Sequence, residues 1–274
     1  MKKIITFIMI ATCIVTLAGC KQTVKSADGK KVSSTIDRVL AKKKLVIGTA
    51  PGYLPFEMKD KNGKFFGYDI DLGNAMGEAL KVPVEFKQFG FSGLISAIQT
   101  GDIDMVLAGM TIRGDRALAA SFSNPYYATG QVLMVSAKDE TIKSWEDLDV
   151  AGKIIATSQG TTGALMAKQL FQKAKVVDFD DFPTACMAII QGKADGIIYD
   201  EPGIKMFEIK NKKSVRGIYN LISAENLGVA VAHNDLETVQ WVNSFLESYK
   251  GNPKELASVE KWFKSTDWME TVSK

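Results

Sequence analysis

One sequence pattern occurs twice in this chain and constrains the fold more than any other feature. The segment 97–107, AIQTGDIDMVL, is echoed by the segment 188–198, AIIQGKADGII. In both, the end of an apolar helical pattern is followed by a glycine, an aspartate and a short apolar run. A glycine in this place is typical of a helix C-cap, and a bounded apolar run predicts a buried strand.

A shorter echo precedes each copy, because KLVIGT at 44–49 matches KIIATS at 153–158. Each region therefore holds a strand, a helix and a second strand, as a βαβ unit does. Two similar α/β lobes would explain this arrangement. A chance similarity between unrelated α/β segments is the alternative.

Residues 1–20, MKKIITFIMIATCIVTLAGC, have the composition of an export signal. Two lysines precede the apolar run 4–17, which is short for a membrane span. The closing residues, Leu17 to Cys20, resemble a bacterial lipobox, which implies cleavage before Cys20 and lipidation of its thiol. A plain signal peptide and an uncleaved anchor are the alternatives. We therefore expect a signal peptide at 1–19 and a protein that is anchored to the membrane rather than spanning it.

Composition limits the classes of partner. The chain of 274 residues is 46% hydrophobic and 24% charged, which is ordinary for a globular protein. Its formal net charge is +3, and removal of Lys2 and Lys3 with the signal leaves +1. Without a basic excess, nucleic acid is not an expected partner. The polar segment 20–35 lacks apolar periodicity and is predicted to be a flexible tether that starts at the lipidated cysteine.

Residue sets for catalysis or metal binding are not evident in the sequence. Apart from Cys20, the processed chain keeps only Cys186, whose apolar neighbours predict a buried small hydrophobe and no disulfide. His233 is the single histidine and lies in a turn-like setting. There is no Ser-His-Asp set, no Cys/His cluster and no phosphate-cradling glycine loop. We expect no metal, no cofactor and no catalytic residues.

The segment 104–127, DMVLAGMTIRGDRALAASFSNPYY, suits the capture of a carboxylate. Its apolar start predicts a strand that ends near Gly109 and Thr111, and Arg116 follows. Glycine lets a ligand approach the backbone, threonine offers a hydroxyl, and the guanidinium offers two parallel donors. A strand end with a surface arginine is the alternative.

Three further loops, 50–56, 158–162 and 200–202, also follow predicted strand ends. Ligands of open α/β sheets bind at the carboxyl ends of strands, so four such loops predict a cleft between the lobes. Asp200 would take an ammonium group opposite Arg116, and an N-cap before Pro202 is the alternative. The other candidates, with core packing or helix capping as their alternatives, are Tyr53, Phe91, Ser158, Thr161 and Thr162.

Five segments carry a family resemblance: GYLPFE at 52–57, GYDIDL at 67–72, AGMTI at 108–112 with Arg116 after it, FSNPYY at 122–127 and KWF at 261–263. Together they resemble the polar amino-acid family of bacterial ABC-transporter solute-binding proteins, with the glutamine- and histidine-binding members nearest. The similarity extends over residues 36–263.

The resemblance implies an α/β fold of the periplasmic-binding-protein type. Two α/β lobes would be joined by two hinge strands, with the ligand in the cleft between them. Lobe 1 would comprise 36–125 plus 229–274, and lobe 2 would comprise 131–223. The hinges would be 126–130 and 224–228.

The resemblance also assigns roles to residues. Arg116, Thr111 and the Gly109 carbonyl would hold the α-carboxylate and α-ammonium groups, and Asp200 would bind the ammonium. Tyr53 and Phe91 would flank the ligand, while Thr161 and Thr162 would add donors; Arg113 would lie outside the cleft. Ala50 replaces an acid found in some members, and Ser158 replaces a lysine of the glutamine type. These two departures weigh against basic ligands and against glutamine.

The implied function is that of an extracytoplasmic lipoprotein at the bacterial cell envelope, attached to the membrane through a lipid such as palmitate. It would bind a free L-amino acid, deliver it to the permease subunits of an ABC importer, and act as a monomer without enzymatic activity. The alternative is a dehydratase-type enzyme on the same fold, which would need a general acid or base in the cleft. Glu57 and Glu201 are the nearest candidates for that role.

Overall fold

A computed structural model describes residues 33–272 of the chain. The predicted signal peptide at 1–19, the lipidated Cys20 and most of the predicted tether lie outside the described residues. Helix α1, Thr35–Lys42, begins inside the last part of the range predicted as tether. Its start is capped by Ser34, whose hydroxyl accepts the Asp37 N–H at 3.2 Å.

Helices and strands alternate through most of the described chain. The later helices are α2 Tyr68–Leu80, α3 Leu94–Thr100, α4 Gly114–Ala117, α5 Thr162–Leu170, α6 Phe182–Ile190, α7 Glu201–Asn211, α8 Leu236–Tyr249 and α9 Pro253–Val259. The strands are β1 Leu45–Thr49, β2 Met58–Lys59, β3 Phe65–Phe66, β4 Val84–Gln88, β5 Met105–Val106, β6 Ala120–Phe122, β7 Tyr127–Thr129, β8 Gln131–Ser136, β9 Ile154–Ser158, β10 Lys175–Phe179, β11 Gly196–Asp200, β12 Val215–Ile218, β13 Glu225–Leu227 and β14 Ala230–Ala232. Short 3₁₀ turns lie at Phe91–Gly93, Glu146–Leu148 and Asp267–Thr271, and a π-helical turn lies at Glu260–Lys264.

Two five-stranded sheets form the centres of two α/β lobes, which confirms the predicted fold class. The first sheet has the order β4-β1-β5-β14-β6, and the second has the order β10-β9-β11-β8-β12. In each sheet three neighbouring strands run parallel, and the fourth strand runs antiparallel to both of its neighbours. The lobes therefore share one arrangement of strands.

The internal repeat reflects an equivalent contact in the two lobes. In the first copy, the carboxylate of Asp104 accepts the N–H of Val46 at 2.7 Å, at the start of β1. In the second copy, the carboxylate of Asp195 accepts the N–H of Ile154 at 2.8 Å, at the start of β9. Each repeated aspartate thus satisfies a backbone donor near the start of an interior strand, one residue before that strand begins to pair with the strand that follows the aspartate. A chance similarity of the two segments does not explain why both aspartates make the same hydrogen bond.

The chain passes between the two sheets twice. It leaves the first sheet after β6, and it returns to that sheet as β14, which lies between β5 and β6. The two crossing segments, β7 and β13, pair with each other as antiparallel strands. They lie within the ranges 126–130 and 224–228 that were predicted as hinges; their motion and the lobe bounds stay predictions.

Aromatic side chains pack along the last helices of the first lobe. The rings of Trp241, Phe245 and Tyr249 stack in series along α8, at centroid distances of 5.6 and 5.5 Å. Trp262 is buried and donates its indole N–H to Asp71 at 2.6 Å, which ties the C-terminal turn to α2. Cys186 is also buried, as expected. None of the helices within 33–272 has the length and apolar character needed to cross a membrane.

Candidate functional site

Eight of the nine residues predicted to bind ligand line one enclosed cavity of about 10 Å³ between the lobes. The first lobe contributes one wall, made of Tyr53, Phe91, Gly109, Thr111 and Arg116. The second lobe contributes the other wall, made of Gln131, Thr161, Thr162, Tyr199 and Asp200. The ninth predicted residue, Ser158, lies next to this space and lines an adjoining cavity of about 140 Å³.

Arg116 is 6% exposed, so it is not the surface arginine that was the alternative. Its guanidinium donates to the carbonyl of Thr111 at 2.8 Å and, across the cleft, to the carbonyl of Gly160 at 2.9 Å. The ring centre of Phe91 lies 5.2 Å from its central carbon. Burial, with a contribution from the nearby Arg113, lowers the pKa of Arg116 to about 10.

The charge of Arg116 has no carboxylate partner among the residues that the structure describes. Its two hydrogen bonds both go to neutral carbonyl groups. A buried cation without an anion is costly, and an anion that enters the cavity would remove that cost. The geometry therefore favours a ligand carboxylate at Arg116.

Asp200 occupies the N-cap position of α7, but its side chain makes no capping hydrogen bond. The carboxylate instead accepts a hydrogen bond from the side-chain amide of Gln131 on β8. Asp200 is 6% exposed, and burial, together with the carboxylate of Glu225, raises its pKa to about 7. The capping alternative is thus wrong, and the carboxylate faces the cavity.

A chain of hydroxyl groups crosses the cleft beside Arg116. Thr162 donates its hydroxyl to Thr111 at 3.2 Å, and Thr111 donates to Glu225 of β13 at 2.7 Å. Because a hydroxyl has one proton to donate, the Thr111 hydroxyl is not available as the ligand donor that the sequence suggested. Thr161 donates to the Ser158 carbonyl at 2.7 Å and caps α5, which was its alternative role.

Arg113 was expected to lie outside the cleft, but in the structure it borders the cleft. Its guanidinium reaches Thr162 of the second lobe at 3.3 Å and pairs with Asp115 at 2.5 Å. It lines an open groove that borders the enclosed cavity and also includes Thr111 and Glu225. The expectation was wrong because the loop after Thr111 folds back toward the second lobe.

Gly109 is a position where a side chain does not fit. Its φ is +53°, and a Cβ built there would collide with the ring of Tyr53. Its N–H is donated at 2.9 Å to Asp69, a buried carboxylate on α2 that also accepts the hydroxyl of Tyr126 at 3.0 Å. The backbone of Gly109 is therefore held in place at the floor of the cavity.

Four residues of the site were not identified from the sequence: Gln131, Tyr199, Glu225 and Asp69. Gln131 begins an apolar strand directly after the first crossing segment, and Tyr199 directly precedes Asp200, so both had a weak positional signal. Glu225 and Asp69 act through partners far away in sequence. Within 33–272, no group of three or more His, Cys, Asp or Glu residues is placed to hold a metal ion.

Comparisons with known proteins agree with this geometry. A family model described as bacterial extracellular solute-binding proteins, family 3, matches residues 45–265. A probable histidine-binding protein of Neisseria gonorrhoeae is 31% identical over 202 residues, which are 72% of this chain and 75% of that protein.

Two solved structures are similar in fold and sequence. An ancestral amino acid-binding protein, a precursor of cyclohexadienyl dehydratase, has a TM-score of 0.79 and 36% identity, over 84% of this chain and 100% of the other. A putative ABC-transporter binding component from Wolinella succinogenes, complexed with lysine, has a TM-score of 0.79 and 34% identity, over 84% and 99%.

The raised pKa of Asp200 predicts how the stability of the ligand-free protein depends on pH. Between pH 4 and pH 7 the folded state keeps a proton that the unfolded state has lost, so Asp200 lowers the free energy of unfolding as the pH rises. Asp200→Asn removes this cost and should be more stable than wild type at pH 8, by up to about 4 kcal/mol. Urea unfolding at pH 4, 6 and 8 measures the free energy of unfolding of Asp200→Asn and of wild type. If the difference between the two proteins grows toward pH 4, the pKa of Asp200 is not raised.

Proposed function

The chain belongs to the bacterial extracellular solute-binding proteins of family 3, and we propose that it binds a free L-amino acid between its lobes and delivers it to an ABC importer. The observation that carries the proposal is the pair of buried charges in one cavity. Arg116 lies on the wall of the first lobe and Asp200 on the wall of the second. An amino acid carries a carboxylate and an ammonium on one carbon, so it would neutralise both groups together.

Binding and release require the lobes to move. A cavity of about 10 Å³ has room for roughly one water molecule, which is far smaller than an amino acid. The lobes are in contact across it through the hydrogen bond from Arg116 to Gly160 and the one from Thr162 to Thr111. We infer that β7 and β13 are the hinges about which the lobes separate, since they are the segments that connect the two sheets.

Hinge motion predicts a change in overall size. A saturating amino acid should lower the radius of gyration measured by small-angle scattering, because the ligand holds the lobes together. The scattering profile calculated from this structure, in which Arg116 joins the lobes by donating to the Gly160 carbonyl, provides a closed reference. If the ligand-free protein has a larger radius of gyration than the closed reference, and a saturating ligand does not lower it, the proposed closure is wrong.

The absence of enzymatic activity is part of the proposal. The dehydratase alternative requires a general acid or base in the cleft. Of its two candidates, Glu57 lines the cavity next to Ser158, while Glu201 lies in the first turn of α7 and lines neither cavity. A single carboxyl group does not define a reaction, whereas the Arg116 and Asp200 pair accounts directly for binding.

Loss of Arg116 should abolish tight binding. Removing one partner of a buried ion pair costs about 3–5 kcal/mol, so Arg116→Ala should weaken binding by about 10²–10³-fold. Arg116→Lys keeps the charge but loses the planar fork, and it should weaken binding less. The measurement is calorimetry with the amino acid that gives the largest thermal shift among the twenty and cystine.

Arg216→Ala is the matched control for Arg116→Ala. Arg216 also donates its guanidinium to backbone carbonyls, those of Asp139 and Ile142, but it lies outside both cavities. Binding by Arg216→Ala should stay within about threefold of wild type. If Arg116→Ala binds as well as Arg216→Ala does, the carboxylate site is elsewhere. Ligand recovered chemically unchanged from the same samples would support binding over catalysis.

We also propose that the mature protein is a monomeric lipoprotein, held at the outer face of the cell membrane or in the periplasm by lipid on Cys20. The support is the segment Leu17 to Cys20 after a short apolar run. Cys20→Ala should release the protein from membranes or leave its signal uncleaved. Cell fractionation and the mass of the mature N-terminus measure this, with Cys186→Ala as the control. A Cys20→Ala protein that is processed and retained like wild type would refute the lipid anchor.

A further inference from the structure

The adjoining cavity of about 140 Å³ opens from the same place as the enclosed one, because Tyr53, Phe91, Thr161 and Tyr199 line both. A ligand held at Arg116 and Asp200 would therefore place its side chain in this second space. The acidic residues that line it are Glu57, Asp180 and Asp181, and the aromatic ones are Tyr53, Phe89, Phe91, Phe182 and Tyr199. No lysine, arginine or histidine lines it.

We propose that this cavity selects a cationic amino-acid side chain, an ammonium or a guanidinium, and that Glu57 is its buried counter-charge. The proposal rests on the amino-acid-binding function proposed above. It departs from the expectation based on Ala50, which weighed against basic ligands, since acids at three other positions line the cavity. Aromatic faces add to the attraction, because the negative face of a ring stabilises a cation.

Glu57 is the group that needs a partner. It is 1% exposed, and neither of its carboxyl oxygens accepts a hydrogen bond from any described residue. A buried carboxyl group without donors is unfavourable, and such groups in folded proteins normally have a partner. A guanidinium or ammonium in the cavity supplies both the donors and the charge.

The neighbours of Glu57 are also acidic. Burial raises its pKa well above the usual value, and the facing carboxylates of Asp69 and Asp200 raise it further. The other titratable groups that interact with Glu57 are the hydroxyls of Tyr53, Tyr126 and Tyr199. Asp69 Oδ1 likewise lacks a hydrogen-bond donor, so a cation in the cavity would meet more than one buried carboxyl oxygen that needs a partner.

Two further acids lie at the mouth of the cavity. Asp181 caps α6 by accepting the Thr184 N–H at 2.8 Å, and both Asp180 and Asp181 are exposed. Lys59 does not line the cavity: it donates to Gln88 at 2.6 Å and lies over the ring of Phe65 at 4.5 Å. The mouth thus attracts cationic ligands, although solvent weakens exposed charges.

The test compares ligands of equal size and different charge. Arginine and citrulline have side chains of similar shape, but only arginine is charged; lysine and norleucine form a second pair. Calorimetry on the full mature protein should show arginine or lysine binding at least tenfold more tightly than its neutral counterpart. The preference for the charged ligand should shrink as the pH falls, because protonated Glu57 no longer neutralises the cationic side chain. Both members of a pair carry the same α-ammonium group, so its direct contact with Asp200 cancels from the ratio.

Glu57→Gln keeps the shape of the side chain but cannot carry a negative charge. A hydrogen bond to a charged group contributes about 1.5–3 kcal/mol, so the charged-to-neutral preference should fall by about tenfold to a hundredfold. Citrulline binding should change little. Asp181→Asn keeps a good helix cap and should reduce the preference slightly. Asp235→Asn, the same change at the cap of α8 and outside the cavity, should leave it unchanged.

The outcomes separate the two proposals. If citrulline, norleucine or glutamine binds as tightly as arginine and lysine, the selection of a cation is wrong while amino-acid binding stands. If the preference exists but survives Glu57→Gln, Glu57 is not the counter-charge. If no L-amino acid binds wild type, the proposed function itself fails. The wild-type ratios decide the first and third outcomes even if a variant does not fold.

Discussion

One buried positive charge holds the cleft together. The guanidinium of Arg116 donates to a carbonyl of each lobe, and no carboxylate of the described residues neutralises it. Its burial therefore costs free energy that the fold must offset elsewhere. A carboxylate that enters beside it would relieve this cost and contact both lobes, so recognition of the ligand and closure of the cleft become one event.

The acidic groups of the cleft come from both lobes: Asp200 lies on the second lobe, whereas Glu57 and Asp69 lie on the first, with Arg116. Asp200, Glu57 and Asp69 are all buried, and each has a raised pKa, which for Asp69 is about 6. Carboxyl groups packed this closely keep protons at a pH where free carboxyl groups have lost them. With Arg116 on one lobe and Asp200 on the other, the proposed amino acid would have one favourable orientation, in which its side chain enters the second cavity.

Local sequence patterns predicted the parts of this structure that depend on neighbours along the chain. The apolar runs of β1 and β11 and the glycines that follow α3 and α6 each depend on a few adjacent residues. Helix α1 was missed because its apolar stripe is short, with only Ile36 and Val39 buried among its apolar residues.

The missed residues of the site have a different cause. Glu225 meets Thr111 from more than a hundred positions away, and the contact of Arg113 with Thr162 depends on how the lobes approach each other. No pattern along the chain encodes such a distance. Ala50 suggested a wall without acids, but Glu57, just after the same loop, and Asp181, from a distant loop of the second lobe, also line that wall.

The position of β14 determines the order in which the lobes can be completed. The second sheet is made of strands from one continuous stretch, β8 to β12, whereas the first sheet needs β14 between β5 and β6. A chain that emerges from its N-terminus therefore finishes the second lobe while the first still has a gap in its sheet. Strands β5 and β6 of the first lobe remain unpaired on the side of that gap until residues 230–232 have been synthesised. Their free edges make them the part of the nascent chain most exposed to wrong strand pairing.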